Sequence, residues 1–451
     1  MKLLCYVRPW NYNQFRSIVS NISSISSVTY FSEHRNCDDS HFVESYYYHL
    51  KSLRYSKTDY KTSLSTFENN DIISRCRLLR NLPIKKANLH LAAMEIALYQ
   101  LLDKEQPNYV LSITIDSFVL DVLYHLCIKR NLKFIGLVPS FLNGYFRVTS
   151  RGEYNKLRSP KSFECDQAIS SLLRDNYTPK FISNAKNNPR IILLKRVIKN
   201  ILKPLYFLTR RIFSNDPYNY HFWSSQIVSL LHYHIIPCFT MGDKNWRRFS
   251  NNRKSIYVPL QMYPECTIDY WCDEIKFVDY DNSLIQLLTK LSSTFIIYVK
   301  EHPGVIGLRN PSLYSKLRKI KNVYIVPTFV DSNEVLQTSS CVLVWTGSVG
   351  FESVLRGKPV LTVCKPYYRH GLLFKSVNLE TDPKTLEQFI DLFSDNYNSN
   401  HARNLINNLL SCLLLGKFLN DGTWSNKNEN DINDSVLIGH ALEKNIFSKN
   451  K

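Results

Sequence analysis

Short apolar runs, each ending on a polar or turn-forming residue, recur along the chain. "KLLCYV" at the start, "YVLSITID" (Tyr109 to Asp116) and "KFIGLVPS" read as buried strands, with "SFVLDVLYHLCIKRN" between the last two as a helix. Strand, helix, strand with short connections is the signature of a parallel α/β unit. The second half repeats this order with "SIYVPLQ", "FIIYVKE", "VYIVPT", "CVLVWTG" and "PVLTVC" as strands, and "SLYSKLRKI" and "SVGFESVLRG" as the clearest helices. The pattern predicts two doubly wound parallel-sheet α/β domains, Rossmann-like, in tandem. The expected divisions are 1–180, 181–235, 236–395 and 396–451, the last being helices with a polar tail.

The stretch from Arg190 to Phe213, "RIILLKRVIKNILKPLYFLTRRIF", breaks the alternation. It carries seven basic residues and no acidic one. At about 100° per residue, Lys195, Lys199, Lys203 and Arg210 share one arc, while Leu194, Val197, Ile201, Leu205 and Leu208 fall opposite. Pro204 should divide or kink this helix. Two readings stand. The helix packs its apolar face on the body, or it lies in the plane of an anionic membrane with its lysines at headgroup level.

Composition narrows the class. A chain of 451 residues with a hydrophobic fraction of 44% and an aromatic fraction of 13% is globular rather than disordered. Its 57 Lys+Arg against 38 Asp+Glu leave +19, which calls for a polyanionic partner: nucleic acid, acidic lipid or a phosphorylated substrate. Nucleic acid is disfavoured, because the basic residues concentrate in one amphipathic stretch and no recognition motif accompanies them. The eleven cysteines are scattered singly, without a C-x-x-C pair, so a zinc site or a disulfide framework is not expected and a reducing compartment is. The N-terminal apolar run is too short for a signal peptide, and no uncharged apolar run reaches about 18 residues. The expected location is cytoplasmic.

Candidate chemistry sits where strands end, because doubly wound folds bind ligands outside the carboxyl ends of their strands. Lys300, Glu301, His302 and Pro303 follow "FIIYV", and Thr346, Gly347 and Ser348 follow "CVLVW" and open a helix. A Thr-Gly-Ser turn there offers hydroxyls, amide donors and the positive end of a helix dipole, and glycine lets a phosphate come close. With Lys300 and His302 at the same edge, it forms an expected phosphate or diphosphate cradle. "VPLQMYPE" (Val258 to Glu265) adds Gln261, Pro264 and Glu265, although Glu265 reads equally as an acid at a helix start.

These segments, "VPLQMYPE", "YVKEHPG", "NVYIVP" and "TGSVGFESVLRGKPV", in this order, resemble the C-terminal domain of bacterial capsule and surface-polysaccharide glycosyltransferases. That group includes the Kdo transferases of capsule assembly. The resemblance covers about Tyr257 to Tyr368, with weaker support from "DIISRCRLLRNL" and "FLNGYFRVTSRGE" upstream. It implies a GT-B-like fold, two domains facing across a cleft, and a nucleotide-sugar donor rather than a bound cofactor. By resemblance, His302 and Pro303 contact the phosphate of a CMP-sugar, Gln261 and Pro264 stand for a Gln-Pro element here separated by two residues, and Thr346, Gly347 and Ser348 hold phosphate. Glu352 is expected to reach the ribose hydroxyls.

The acceptor side needs a base, and a carboxylate within hydrogen-bond reach of the attacking hydroxyl serves. Asp116, at the end of "YVLSIT", is in position for it; the alternative is an N-cap for the following helix. Arg75, Arg77 and Arg80, partly on one helical face, are candidates for binding an acidic acceptor or a donor carboxylate, or else a solvated basic face; Arg147 and Arg151 are further candidates for that binding. The D-x-D spacing of Asp279 and Asp281 opens a helix and reads as structural, so no metal is expected. The expected activity is sugar transfer, preferably of Kdo or another nonulosonate from a CMP-sugar, onto a surface glycan or lipid-linked acceptor. The work would be done at the inner face of the cytoplasmic membrane. A UDP- or GDP-hexose donor, and a sugar-nucleotide epimerase, are the alternatives.

Overall fold

The computed structural model describes residues 1–55, 62–173, 198, 202, 205–206, 208–209, 212–213, 242, 246–249, 253–263, 265–302, 309–328 and 330–448. Two compact units divide the chain.

The first unit's described residues fall within Met1–Ser159, Leu208–Phe222 and Leu410–Lys451. Its sheet contains β1 (Lys2–Tyr6), β2 (Ser27–Phe31), β3 (Tyr109–Ile113), β4 (Lys133–Pro139), β5 (Tyr145–Val148) and a strand from the far end of the chain, Leu413–Leu415. The order from one edge is Leu413–Leu415, β5, β4, β3, β1, β2. β2, β1, β3 and β4 run parallel, whereas β5 is antiparallel to β4 and to Leu413–Leu415. Every residue of β3 is buried, the mark of a parallel strand covered on both faces. The helix Phe118–Lys129 brings β3 to β4, as its apolar run predicts.

The end of the chain departs from expectation. Residues 396–451 are not only helices and a tail. Leu413–Leu415 completes the first sheet, and the helix Glu429–Leu442 packs on the helix Tyr12–Val19. Gly439 permits that contact, since a Cβ there would stand 2.7 Å from Ile18 O and from Asn21 Cβ. Leu413–Leu415 extends the sheet by one strand beyond β5.

The second unit's described residues fall within Pro160–Phe207 and Trp223–Leu409. Its strands are β6 (Ser255–Pro259), β7 (Ile296–Lys300), β8 (Val323–Val326), β9 (Cys341–Val344), β10 (Val360–Thr362) and β11 (Phe374–Ser376). They form one sheet in the order β11-β10-β9-β6-β7-β8, and every pairing is parallel. Its helices start on local signals: Asn310 caps Pro311–Lys319, and Asp331 caps Ser332–Thr338. Two α/β units built on parallel strands are therefore the architecture, as the apolar runs predict, except that the first sheet carries antiparallel pairings at its β5 and Leu413–Leu415 edge. Among the described residues, no helix is long and apolar enough to cross a membrane.

Candidate functional site

The second unit gathers its candidate residues at one sheet edge. β6, β7 and β9 are neighbours, so the segments leaving their carboxyl ends emerge side by side. Strand alternation sorts the residues of "KEH". Lys300 ends β7 only 5% exposed, and its ammonium donates to Ser332 Oγ at 3.3 Å. Glu301 turns into the core, where Arg309 donates from Nε at 2.7 Å and from Nη2 at 3.1 Å, and the Tyr314 hydroxyl donates as well. His302 comes next at the edge, half-buried, with its backbone N–H donating to Glu301 Oε1 at 2.7 Å. Cation, acid and imidazole thus go three ways: one under the sheet edge, one into the core, one at the rim.

The segment after β6 joins them through Gln261. Its backbone N–H donates to Tyr280 Oη at 2.9 Å, its carbonyl accepts from Arg309 Nη2 at 2.6 Å, and its Nε2 donates to Thr346 Oγ1 at 3.2 Å. Thr346 Oγ1 donates in turn to the carbonyl of Thr267 at 3.3 Å. Gly347 lies under the Gln261 side chain, so a Cβ on it would stand 3.1 Å from Oε1, and its carbonyl accepts from the Tyr368 hydroxyl. Ser348 Oγ donates to Glu352 Oε1 at 3.4 Å, one turn into the helix Val349–Leu355. Gln261, Thr346, Gly347, Ser348 and His302 therefore belong to one edge. Glu265 sits at the start of the helix Cys266–Asp269 and accepts from Thr267 Oγ1 at 2.8 Å, which is its helix-start reading. Pro264 and Pro303 lie outside the described residues.

Behind this edge, Arg309 is sealed with Glu301, each side chain 1% exposed. Asp281 faces the same guanidinium at 3.7 Å. Burial works against the Arg309 cation, but Glu301 outweighs it and raises the guanidinium above its usual range. Burial likewise lifts the Asp281 carboxyl, with Arg309 opposing. The D-x-D pair is accordingly split: Asp281 serves Arg309, while Asp279 precedes the helix Tyr280–Leu291 and accepts from Asn282 Nδ2 at 2.8 Å. Among the described residues no group of three or more His, Cys, Asp or Glu side chains is arranged to hold a metal ion.

In the first unit, Asp116 follows β3 and precedes Ser117, the residue before the helix Phe118–Lys129. Its carboxylate does not cap that helix. It accepts a bidentate pair from Arg8, Nη1 to Oδ2 at 2.5 Å and Nη2 to Oδ1 at 2.9 Å. Arg8 Nε is also 3.3 Å from Glu33 Oε1 and donates to Tyr6 Oη at 3.0 Å, and the tyrosine hydroxyl donates to Glu33. Trp10, 44% exposed, lies 5.3 Å from the Arg8 guanidinium carbon. Sequence reading missed Arg8 and Glu33, although both follow strands (β1 and β2) at the same carboxyl edge that singled out Asp116.

The arginine candidates do not form one face. Arg75 is buried and donates from Nε to both oxygens of Asp71 at 2.9 Å. Arg151 reaches Asp71 at 3.3 Å and pairs with buried Asp121, beside His125. Burial raises the Asp121 carboxyl, and Arg151 pulls it back. Arg147 is enclosed within β5 and donates to the carbonyl of Gly152 at 3.4 Å. Arg75 and Arg147 are internal to the fold, Arg151 keeps 24% exposure while paired with Asp71 and Asp121, and Arg77 and Arg80 are half-buried in the turn after the helix Thr66–Arg75.

Lys195, Arg196, Lys199, Lys203 and Arg210 of the basic segment lie outside the described residues. Of its apolar side chains that are described, Ile198, Leu202, Leu205, Tyr206, Leu208, Ile212 and Phe213 are exposed.

With this geometry in hand, the chain can be set beside known proteins. Residues 185–384 match the family described as "Capsule polysaccharide biosynthesis protein", a span that includes Gln261, His302 and Gly347, in agreement with the resemblance drawn from the motifs there. No curated protein matches. Among solved structures, the β-Kdo 2,7 transferase of Thermosulfurimonas dismutans KpsC is 13% identical with a TM-score of 0.38, over 94% of each chain. The KpsC β-Kdo 2,4 transferase of the same organism is 15% identical with a TM-score of 0.32, over 74% of this chain and 88% of that one. A UDP-GlcNAc 2-epimerase from Neisseria meningitidis, bound to UDP-GlcNAc, is 14% identical with a TM-score of 0.27, over 99% and 100%. At these scores the structural matches carry no argument about substrate.

Proposed function

We propose that this chain is a glycosyltransferase of capsule or related surface-polysaccharide synthesis, moving a sugar from a nucleotide donor onto a glycan or lipid-linked acceptor. One observation carries the reading: the family match spans the segment whose His302, Gln261 and Thr346–Ser348 meet at a single sheet edge. An imidazole, a hydroxyl pair and a glycine with no Cβ under Gln261 suit a nucleotide phosphate, which leaves as an anion when the glycosidic bond breaks. Protein donors can stabilise that charge, so a metal is not required by this reading. The preferred donor is a CMP-linked acidic sugar, Kdo or another nonulosonate, on the strength of the His-Pro pair alone. Asp116 is the proposed base, oriented by Arg8 toward an acceptor hydroxyl. The exposed apolar residues between 198 and 213, together with the basic residues among them, favour attachment to an anionic bilayer at the cytoplasmic face.

Calorimetric titration of CMP, UDP and GDP, without metal and again with magnesium, tests the donor. Metal-free CMP binding that is lost in His302→Ala is the expected result. Preference for UDP or GDP would overturn the CMP assignment and favour a hexose transferase or an epimerase. Flotation with phosphatidylglycerol vesicles tests the surface: a variant with Lys195, Arg196, Lys199 and Lys203 changed to Gln should stay unbound, and undiminished flotation would remove the membrane from the proposal.

A further inference from the structure

Glu301 and Arg309 form the most enclosed ion pair described in the second unit, and neither side chain reaches the rim. Their hydrogen bonds nevertheless end on the rim's backbone. Glu301 Oε1 accepts the N–H of His302, in the segment leaving β7. Arg309 Nη2 donates to the carbonyl of Gln261, in the segment leaving β6. The same Nη2 donates to Glu301 Oε1, so one oxygen and one nitrogen link the two segments directly. Two tyrosines close the set: Tyr314 donates to Glu301 Oε2, and Tyr280 accepts the N–H of Gln261 while its ring lies 5.4 Å from the guanidinium carbon. Gln261 then passes the constraint to the third segment through Thr346 and the face of Gly347.

A buried ion pair is a poor device for stability alone, because desolvation consumes most of the attraction and an apolar pair of equal volume does as well or better. What it does supply is direction. A guanidinium can bond a carboxylate on one side and a backbone carbonyl on another in fixed geometry.

We infer that Glu301 and Arg309 are positioning residues for nucleotide-phosphate binding, clamping the segments after β6 and β7 so that Gln261 and His302 are held in register before ligand arrives. The inference rests on the donor reading of this edge. It adds that affinity is set in part by two residues that never touch the ligand, through preorganisation.

The test uses the full chain with two variants. Glu301→Leu/Arg309→Met replaces the pair by apolar side chains of similar size; Arg309→Lys keeps the charge but loses the fork that spans Glu301 and Gln261. Hydrogen–deuterium exchange of peptides covering 257–263 and 296–302 reads the clamp, the melting temperature reads the fold, and calorimetry with CMP, UDP and GDP reads the site. The expected result for Arg309→Lys is a melting temperature within a few degrees of the parent, about tenfold or more faster exchange in both peptides, and about tenfold or more weaker binding of whichever nucleotide the parent binds. The double variant should match it if it folds. Unchanged exchange, or unchanged affinity at faster exchange, overturns the inference. A parent that binds none of the three overturns the nucleotide reading instead, and the clamp is then decided by exchange alone.

Discussion

Each unit buries an arginine at the carboxyl edge of its sheet and surrounds it in the same way. Arg8 meets Asp116, Glu33 and the Tyr6 hydroxyl; Arg309 meets Glu301, Asp281 and, through Glu301, the Tyr314 hydroxyl. The two sets differ in what surrounds them. Around Arg8 the carboxylates keep some solvent access, 19% for Asp116 and 12% for Glu33, and an exposed tryptophan stands beside the guanidinium. Around Arg309 the pair with Glu301 is closed off, each side chain 1% exposed, although Asp281 beside it keeps 30%, and the outward bonds of the pair go to main chain. Equal chemistry in unequal surroundings gives different work: the first cluster can meet a substrate directly, the second acts on one only through the loops it holds.

The sharpest way to divide the two clusters begins with the acid of the first. Asp116→Asn keeps the Arg8 contact possible through its amide oxygen but removes the base, so transfer should fall by about 10²–10⁴-fold with nucleotide affinity unchanged. If affinity and the melting temperature fall together instead, Asp116 is structural and the contrast disappears. Removing the cations comes next. Arg309→Met leaves Glu301 buried without its partner, and Asp281 half-buried beside it, and should cost about 3–5 kcal/mol in urea denaturation. That cost should shrink in acid. The Asp281 carboxyl is already raised by burial and rises further without Arg309, so the penalty is present above its folded pKa and is relieved as pH falls through it. Arg8→Met should cost less, about 1–3 kcal/mol, because water can reach both Asp116 and Glu33, whereas Glu301 is sealed. Equal costs for the two would mean that the difference in exposure has no energetic weight.

Much of this was legible in the sequence. Apolar runs located the main strands of both sheets, since parallel strands buried on both faces need continuous Val, Ile and Leu. The rule that ligands sit at carboxyl ends pointed to Asp116, His302 and Thr346–Ser348 as candidates. What stayed hidden was pairing across distance. Nothing local links Arg8 to Asp116, which is 108 residues away, or tells that Glu301 turns inward while Lys300 bonds Ser332. The arginines show the same limit: Arg75 reads as part of a basic face, and Arg151 as a ligand-binding candidate, until Asp71 and Asp121 are placed against them. A three-leucine strand, Leu413–Leu415, is likewise invisible until β5 is placed beside it.

The smallest expected effect probes the rim itself. Gly347 has no Cβ to separate it from Gln261, and an added one would sit 3.1 Å from Oε1, so the amide would have to move by a few tenths of an ångström. Gln261 is held at its backbone by Tyr280 and Arg309, which leaves only its side chain to yield, and that side chain bonds Thr346. Gly347→Ala should therefore leave the fold within about 1 kcal/mol of the parent while weakening nucleotide binding by about tenfold. Gly350→Ala, three residues on, provides the control. Its Cβ would stand 2.7 Å from Tyr368 Oη and 2.8 Å from a Val344 methyl, inside the packed core, so its effect should appear first in the melting temperature. If the two alanines behave alike, Gly347 is a packing glycine and the rim is not where phosphate binds. If they separate as expected, the open edge and the sealed clamp behind it are distinct parts of one donor site.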